Sequence, residues 1–285
     1  MAKIIIATDS TADLSQALLK ELDIVSIPLY VNLNEKTYRD GIDITTSELY
    51  EMIEETGSFP KTQAVSPADF IAFFEPYLKA GHEVIYIGIG SKNSATFQSA
   101  LLAKTELNTN HLYLIDSGNI SSGIALLVLK AQAFRKEGLS AQAIYEKTKA
   151  LVPYVKSQFV IKTLDYLHRG GRASGTAKLI GSMLRMKPII HSSDGKLSVY
   201  KKPLGKMSRA LDIMLQDFFD YAEKDQLDLD YVMITHSEAS KQALYMIDQV
   251  QAKVTPKHLI ESKAGCVISA HCGRGTIGIL YIVKP

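Results

Sequence analysis

The chain has 285 residues, 46% of them apolar, and its 32 Lys/Arg against 30 Asp/Glu leave a formal net charge of +2. That length fits one large domain or two medium ones, and the near balance of charge excludes a dominant polyanionic partner. Cys266 and Cys272 form neither a CxxC pair nor a zinc pattern, and no apolar run reaches the ~18–20 residues of a membrane span, so a cytoplasmic protein with reduced thiols and no stable membrane insertion is expected.

Residues 3–8 are a flat apolar run and predict a buried strand, too short for a signal peptide. Asp9-Ser10-Thr11 turn the chain into a helix over 14–22, and a second strand is expected over 24–31. A short strand follows around 38–44. Thr45 and Glu48 have capping-box spacing, which starts a helix running to Glu55. Residues 57–66 read as a loop. Ser66-Pro67-Ala68-Asp69 is the next helix start, with proline at the first helical position. Phe70, Phe73, Phe74, Tyr77 and Leu78 recur at helical spacing and read as core.

Strand 84–89, helix 95–106, strand 111–115 and helix 122–137 then alternate, which predicts a parallel sheet covered by helices. Ligands of such sheets sit beyond the carboxyl ends of the strands. Three loops rich in Ser, Thr, Asp or Asn should meet there: 9–13, 88–94 and 116–123.

Past Pro153 the rhythm changes. A strand near 156–162, helical patterns over 164–186, and a hairpin over 189–200 turning at Ser193-Asp194-Gly195-Lys196 are expected. A helix over 207–223, a strand over 231–236, a helix over 238–252 and strands near 257–262 and 276–283 complete the chain. The fold expected is therefore α/β: an N-terminal parallel-sheet α/β domain over 1–154, and a C-terminal α+β domain with a mostly antiparallel sheet over 155–285.

Two turns carry the chemistry. Gly88-Ile89-Gly90-Ser91-Lys92-Asn93-Ser94-Ala95-Thr96 follows a strand and opens a helix. His271-Cys272-Gly273-Arg274-Gly275-Thr276 precedes the last strand. Both expose backbone N–H groups and hydroxyls suited to an anion. The G-x-G-x-x-G at 273–278 feeds a strand, not a helix, which argues against a dinucleotide site. No G-x-S-x-G elbow exists, so a Ser94/His271 hydrolase acting on acyl or phosphoryl substrates stands only as an alternative. The seven histidines show no H-x-x-x-H spacing, and neither a metal nor a cofactor is expected. Residues 151–209 hold twelve Lys/Arg against Asp165 and Asp194, a local excess of +10. Within them Arg169-Gly170-Gly171-Arg172 sets two guanidinium groups on a turn, either as a docking face for a phosphate or an acidic partner or as a helix end with basic residues near its C-terminus. A contiguous basic recognition helix and an aromatic stacking platform are both missing, which argues against nucleic acid.

Taken in order, these segments resemble the DegV family of bacterial fatty-acid-binding proteins (FakB-type). They are Thr8 to Leu14, Lys61-Thr62-Gln63 with Ser66-Pro67, Ser91 to Ala100, Ile115-Asp116-Ser117 with Ser121 and Gly123, Leu164 to Leu167 with Arg169 to Arg172, Lys187-Pro188-Ile189 with Asp194-Gly195-Lys196, and His271 with Gly273, Gly275 and Thr276. The resemblance covers essentially the whole chain. It implies a substrate-presenting subunit, not a catalyst. One long-chain fatty acid would lie in a tunnel between the domains, and a partner fatty acid kinase would phosphorylate its carboxylate to an acyl phosphate for phospholipid synthesis. Transient contact with a membrane fits that role. By motif position the resemblance gives Thr62 and Ser94 to the carboxylate, with His271 orienting them. Thr96, Gly273 and Arg274 would support the head group, and Arg172, with Arg169, would face the kinase. Ala95 stands where the family usually has glycine, and Arg274 where it has proline.

Overall fold

The computed structural model describes residues 3–171 and 186–285. Its first sheet is parallel throughout, in the order β2 (Ile24–Ile27), β1 (Ile4–Asp9), β6 (Glu83–Gly88), β7 (Leu112–Asp116). Helices α1 (Gln16–Glu21), α3 (Pro67–Lys79), α4 (Thr96–Leu107) and α5 (Ser122–Lys136) connect or cover these strands. Such parallel strands read as continuous apolar runs because helices pack on both faces. A larger sheet follows, in the order β10 (Lys196–Lys201), β9 (Ile189–Ser193), β8 (Val155–Val160), β13 (Thr276–Val283), β11 (Leu227–Ser237), β12 (His258–Lys263). Every pair in it is antiparallel except β11–β12. The parallel sheet, the mostly antiparallel sheet and the hairpin at Asp194-Gly195 follow the sequence expectation.

Four local expectations are corrected. The run over 24–31 is two strands, because Pro28 has no N–H to give to a ladder. Its second piece, β3 (Tyr30–Leu33), leaves the parallel sheet and pairs with β4 (Lys36–Arg39) and with β5 (Lys61–Gln63). The expected loop over 57–66 therefore contains a strand, with Val31 opposite Thr62. A further helix, α6 (Ala141–Leu151), is capped by Ser140. The turn at His271 closes another, α10 (Cys266–Cys272). Helices α8 (Met207–Glu223) and α9 (Ser240–Lys253) cover the antiparallel sheet, and α2 (Thr46–Thr56) begins at the Thr45–Glu48 capping box. The helical pattern expected over 164–186 begins as α7 (Asp165–Gly170), and its stretch 172–185 lies outside the described residues.

Helix α5 joins the two sheets. Its residues 122–132 are all buried, and it packs on β1 and β6 of one sheet and on β8, β11 and β13 of the other. A helix apolar all round belongs inside a protein. One core consequently runs through it, from Ile6, Ile85 and Ile87 to Met233, Leu280 and Ile282. The buried Lys130 on this helix is held 2.5 Å from both Asp228 and Asp230.

Carboxylates bind the same seam. Asp13, in the left-handed region at φ 56°, accepts from Ser121 Oγ and, across the seam, from Gly265 N at 2.8 Å. Asp40 Oδ1 accepts from Cys266 N at 2.7 Å. Ser262 Oγ donates to the Asp13 carbonyl, and Tyr50 Oη meets Ser237 Oγ at 2.6 Å. Burial holds the Asp13 carboxyl well above its ordinary pKa, although Ser121 and Gly265 pull it back down.

Unfolded, Asp13 loses its proton near pH ~4; folded, it keeps it to higher pH. The native state then binds the extra proton, so the stability from this group is present at low pH and is lost as pH rises through the folded pKa. Asn mimics the neutral acid, accepting from Gly265 and donating to Ser121. We predict that Asp13→Asn flattens the fall of Tm as pH rises above the ordinary carboxyl range of about 4, relative to the native chain. Parallel Tm–pH profiles would show that Asp13 is ionised in the fold.

Candidate functional site

The three expected loops do meet beyond the carboxyl ends of the parallel strands. Asp9, the last residue of β1, is their hub: it accepts from Thr11 N at 3.0 Å, Tyr86 Oη at 2.7 Å and Ile89 N at 3.0 Å. Gly90 N donates to Asn119 O at 2.8 Å, and Ser91 N to Asp116 Oδ1 at 3.0 Å. Gly90 admits no larger residue, because a Cβ would stand 2.9 Å from the Asn119 nitrogen. The hairpin turn of the other sheet closes over this loop, with Asn93 Nδ2 donating to Gly195 O at 3.0 Å.

Beside the loops lies a cavity of about 130 Å³ that Thr62, Ser94 and His271 all line. These three are 209 residues apart in sequence at the extreme, yet Thr62 Oγ1 stands 2.8 Å from His271 Nε2. Strand β5 places Thr62 next to Val31, and the last turn of α10 places His271. Ser94 occupies the turn before α4. Its Oγ lies 3.0 Å from Thr96 Oγ1 and accepts from Thr96 N at 3.2 Å. The positive end of a twelve-residue helix thus opens on the cavity.

Apart from Gln63 and Asn93, the remaining wall is apolar, including Ile89, Ile120, Phe159, Leu167 and Ile268. Ile120, Phe159, Ile268 and Cys272 also line a smaller cavity of about 40 Å³ deeper in the seam. Hydroxyls surround that second cavity, but each is engaged elsewhere. Ser157 donates to Asn119 Oδ1, Thr235 to Ser122 Oγ and Thr276 to Cys272 O, while Ser237 meets Ser269. With their oxygens turned aside, these residues present methyl and methylene surface. Burial raises the Cys272 thiol to about 12, so it stays a neutral, apolar wall.

The other residues named from sequence fall outside the cavity lining. Thr96 supports Ser94 from behind. Gly273, at φ 79°, packs against Tyr166, where a Cβ would meet the ring at 2.6 Å. Arg274 turns away from the cavity: its Nη1 donates to Glu54 Oε1 at 2.5 Å, its Nε lies 2.6 Å from Glu238 Oε2, and its guanidinium covers the Tyr50 ring at 5.0 Å. It ties α2 to the start of α9 and adds no charge to the cavity. Arg169 is exposed and stacks on Phe59 at 4.3 Å. Arg172 lies outside the described residues. The Arg169–Gly171 turn nevertheless abuts the cavity, for a Cβ on Gly170 would sit 2.2 Å from His271 Nδ1.

A serine hydrolase needs its nucleophile bonded to its base. Here the hydroxyl of Ser94 pairs with Thr96 and the imidazole Nε2 with Thr62, so that pair is not formed. Among the described residues no group of three or more His, Cys, Asp or Glu could hold a metal, and no helix is long and apolar enough to cross a membrane.

Comparison with known proteins places the chain among relatives matched along their whole length. The DegV family model, described as an uncharacterised protein family, matches residues 3–284. A DegV domain-containing protein of Caldanaerobacter subterraneus is 34% identical over 287 residues, with each chain fully covered. Among solved structures, a DegV family protein from Thermus thermophilus, described for its fatty acid binding, superposes with a TM-score of 0.90 at 29% identity and 99% coverage of both chains. DegV of Bacillus subtilis, described as a fatty acid binding protein, gives 0.88 at 27% identity with both chains fully covered. A stearic acid-binding protein from Eubacterium ventriosum gives 0.86 at 26% identity, covering 100% of this chain and 99% of the other.

The contact between Gly170 and His271 generates a test of the site's internal geometry. Gly170→Ala should push the imidazole off Thr62 at a cost of about 1–3 kcal/mol, the range of overpacking. The check is the His271 ring resonance by NMR together with a denaturant melt. An unshifted resonance and unchanged stability would remove Gly170 from the site.

Proposed function

The chain belongs to the DegV family, and on that premise we propose that it binds one long-chain fatty acid and presents the carboxylate to a partner kinase. The observation that carries this reading is the cavity itself: Thr62, Ser94 and His271, with Gln63 and Asn93, share it with a mostly apolar wall. Thr62 and Ser94 donate to the carboxylate, His271 orients Thr62, and the N-terminus of α4 adds favourable charge. A buried carboxylate without such partners is costly, and hydroxyls satisfy it without performing chemistry on it.

The acyl chain extends along Ile120, Phe159 and Ile268. Because these side chains and Cys272 line both cavities, their rotation joins the two into one passage. Burial at ~0.8 kcal/mol per CH₂ makes the tail the main source of affinity. Binding to structurally similar proteins supports the ligand class: those of Thermus thermophilus and Bacillus subtilis are described as binding fatty acid. Kinase presentation rests on the basic sequence Arg169-Gly170-Gly171-Arg172, of which Gly170 lies beside the imidazole. The kinase carries the catalysis, and this chain carries the substrate.

Two measurements test this reading. Thr62→Ala with Ser94→Ala should weaken binding of a long-chain fatty acid by about 2–4 kcal/mol, read by titration calorimetry on the delipidated protein. Equal affinity would remove both hydroxyls from the head group. Arg169→Ala with Arg172→Ala should leave lipid affinity within about twofold while reducing kinase-dependent acyl phosphate formation at least about tenfold. Added salt should imitate part of that loss, since exposed charge pairs are screened within about 8 Å at physiological ionic strength. Undiminished turnover at low and high salt would leave the arginines with a structural role.

A further inference from the structure

The face of the antiparallel sheet that carries the inner cavity is built in rows. Thr276 lies opposite Ser237, Gly278 between Phe159 and Thr235, and Leu280 between Ser157 and Met233. Residues two apart on a strand share a face, so these rows follow one another away from α10. The first row touches that helix: Thr276 donates to Cys272 O at 2.8 Å, and Ser237 Oγ meets Ser269 Oγ at 2.8 Å. Cys272 and Phe159 line both cavities, which puts their junction at the first two rows. The third row is the far end.

Gly278 hollows the middle row. A Cβ there would stand 2.6 Å from Gln158 O and 2.9 Å from Phe159 Cβ. Glycine within a strand leaves bare backbone where a ligand approaches closely. One row deeper, Ser157 is small and Met233 does not reach the cavity, so Leu280 is the one bulky apolar side chain of that row on its wall. The walls and this floor differ in freedom. Ile120, Phe159 and Ile268 stand between two cavities and can turn toward either. Leu280 is packed into the core shared with α5, where its neighbours Met233 and Ile282 are 0% and 1% exposed. Close-packed interiors yield little to a side chain pushed into them.

We infer that Leu280 is the stop for the methyl end of the acyl chain, so that its size sets the chain length bound best. The inference rests on the fatty-acid reading and adds a specificity residue to it. Width is adjustable because the walls turn, whereas depth is fixed by a side chain with core behind it. Each methylene that meets dry wall adds affinity, and the first that does not fit must buckle the chain or overpack the core. Affinity therefore peaks at one length.

The test is titration calorimetry on the delipidated full chain with straight saturated fatty acids of even length, from about 10 to about 20 carbons. Native affinity should climb to one optimum and fall by at least about threefold at the next longer acid. Leu280→Ala vacates about three carbon atoms, so its optimum should move about two carbons longer, with that longer acid gaining at least about tenfold relative to the native optimum. Leu280→Val, one carbon smaller, should raise the same ratio by about threefold, and it keeps the test in hand where the alanine variant does not fold. Ile120→Ala, which widens a wall, should lower affinity at every length and leave the optimum in place. A native profile without an optimum, an optimum and ratio unmoved by the Leu280 variants, or an optimum moved as far by Ile120→Ala would overturn the inference and leave fatty-acid binding standing. A native chain that binds none of these acids would overturn the fatty-acid reading, and this inference with it.

Discussion

Two carboxylates from the first half of the chain hold the first N–H groups of a helix in the second half. Asp13 takes Gly265 N and Asp40 takes Cys266 N, so the start of α10 is fixed against the loop after β1 and the turn after β4. A helix of seven residues has little stability of its own. Its position is therefore set by these caps and by the buried Val267, Ile268 and Cys272 beneath it. His271 sits at the other end of that helix. The 2.8 Å contact with Thr62 is in this sense a long-range product of Asp13 and Asp40, and the polar end of the cavity follows from the way the seam is bolted.

The cavity divides its work by chemistry and by address. Its polar end draws on β5, the turn before α4 and α10, three segments that only the fold brings together. Its apolar length draws on side chains with no distinguishing pattern. Around the inner part, hydroxyls satisfy one another or the backbone, so an environment rich in Ser and Thr becomes an oily wall. A polar residue that is internally hydrogen-bonded packs as its carbon atoms do.

This division explains what the sequence could tell. Strand and helix alternation, the capping boxes at Thr45 and Ser66, and the Asp194-Gly195 hairpin are local signals, and they were legible. So was the clustering of the three loops, because parallel sheets gather loops at one end. The strand at Lys61–Gln63 was not, since three residues carry no period and pair only through β3. Nor was α10, whose last two residues, His271 and Cys272, read as the start of the glycine-rich turn that follows, and whose start shows only once the carboxylates of Asp13 and Asp40 are placed. Arg274 was assigned to the head group by its neighbours in sequence, whereas Glu54 and Glu238, both remote from it in sequence, claim it. The apolar lining was invisible for the plainest reason: Ile120, Phe159 and Ile268 look like any other core residues.

Helix α5 sets how the molecule comes apart. By sequence it ends the first half, but its buried surface is shared between both sheets. Parting the sheets would bring one flank of Ile124 to Leu129 into water and strand Lys130 away from Asp228 and Asp230. A hinge motion that opens the seam widely is therefore costly, because it exposes the core that α5 shares with both sheets. Entry to the interior falls instead to small rearrangements at the cavity mouth, where side chains can turn while the helix between the sheets stays dry.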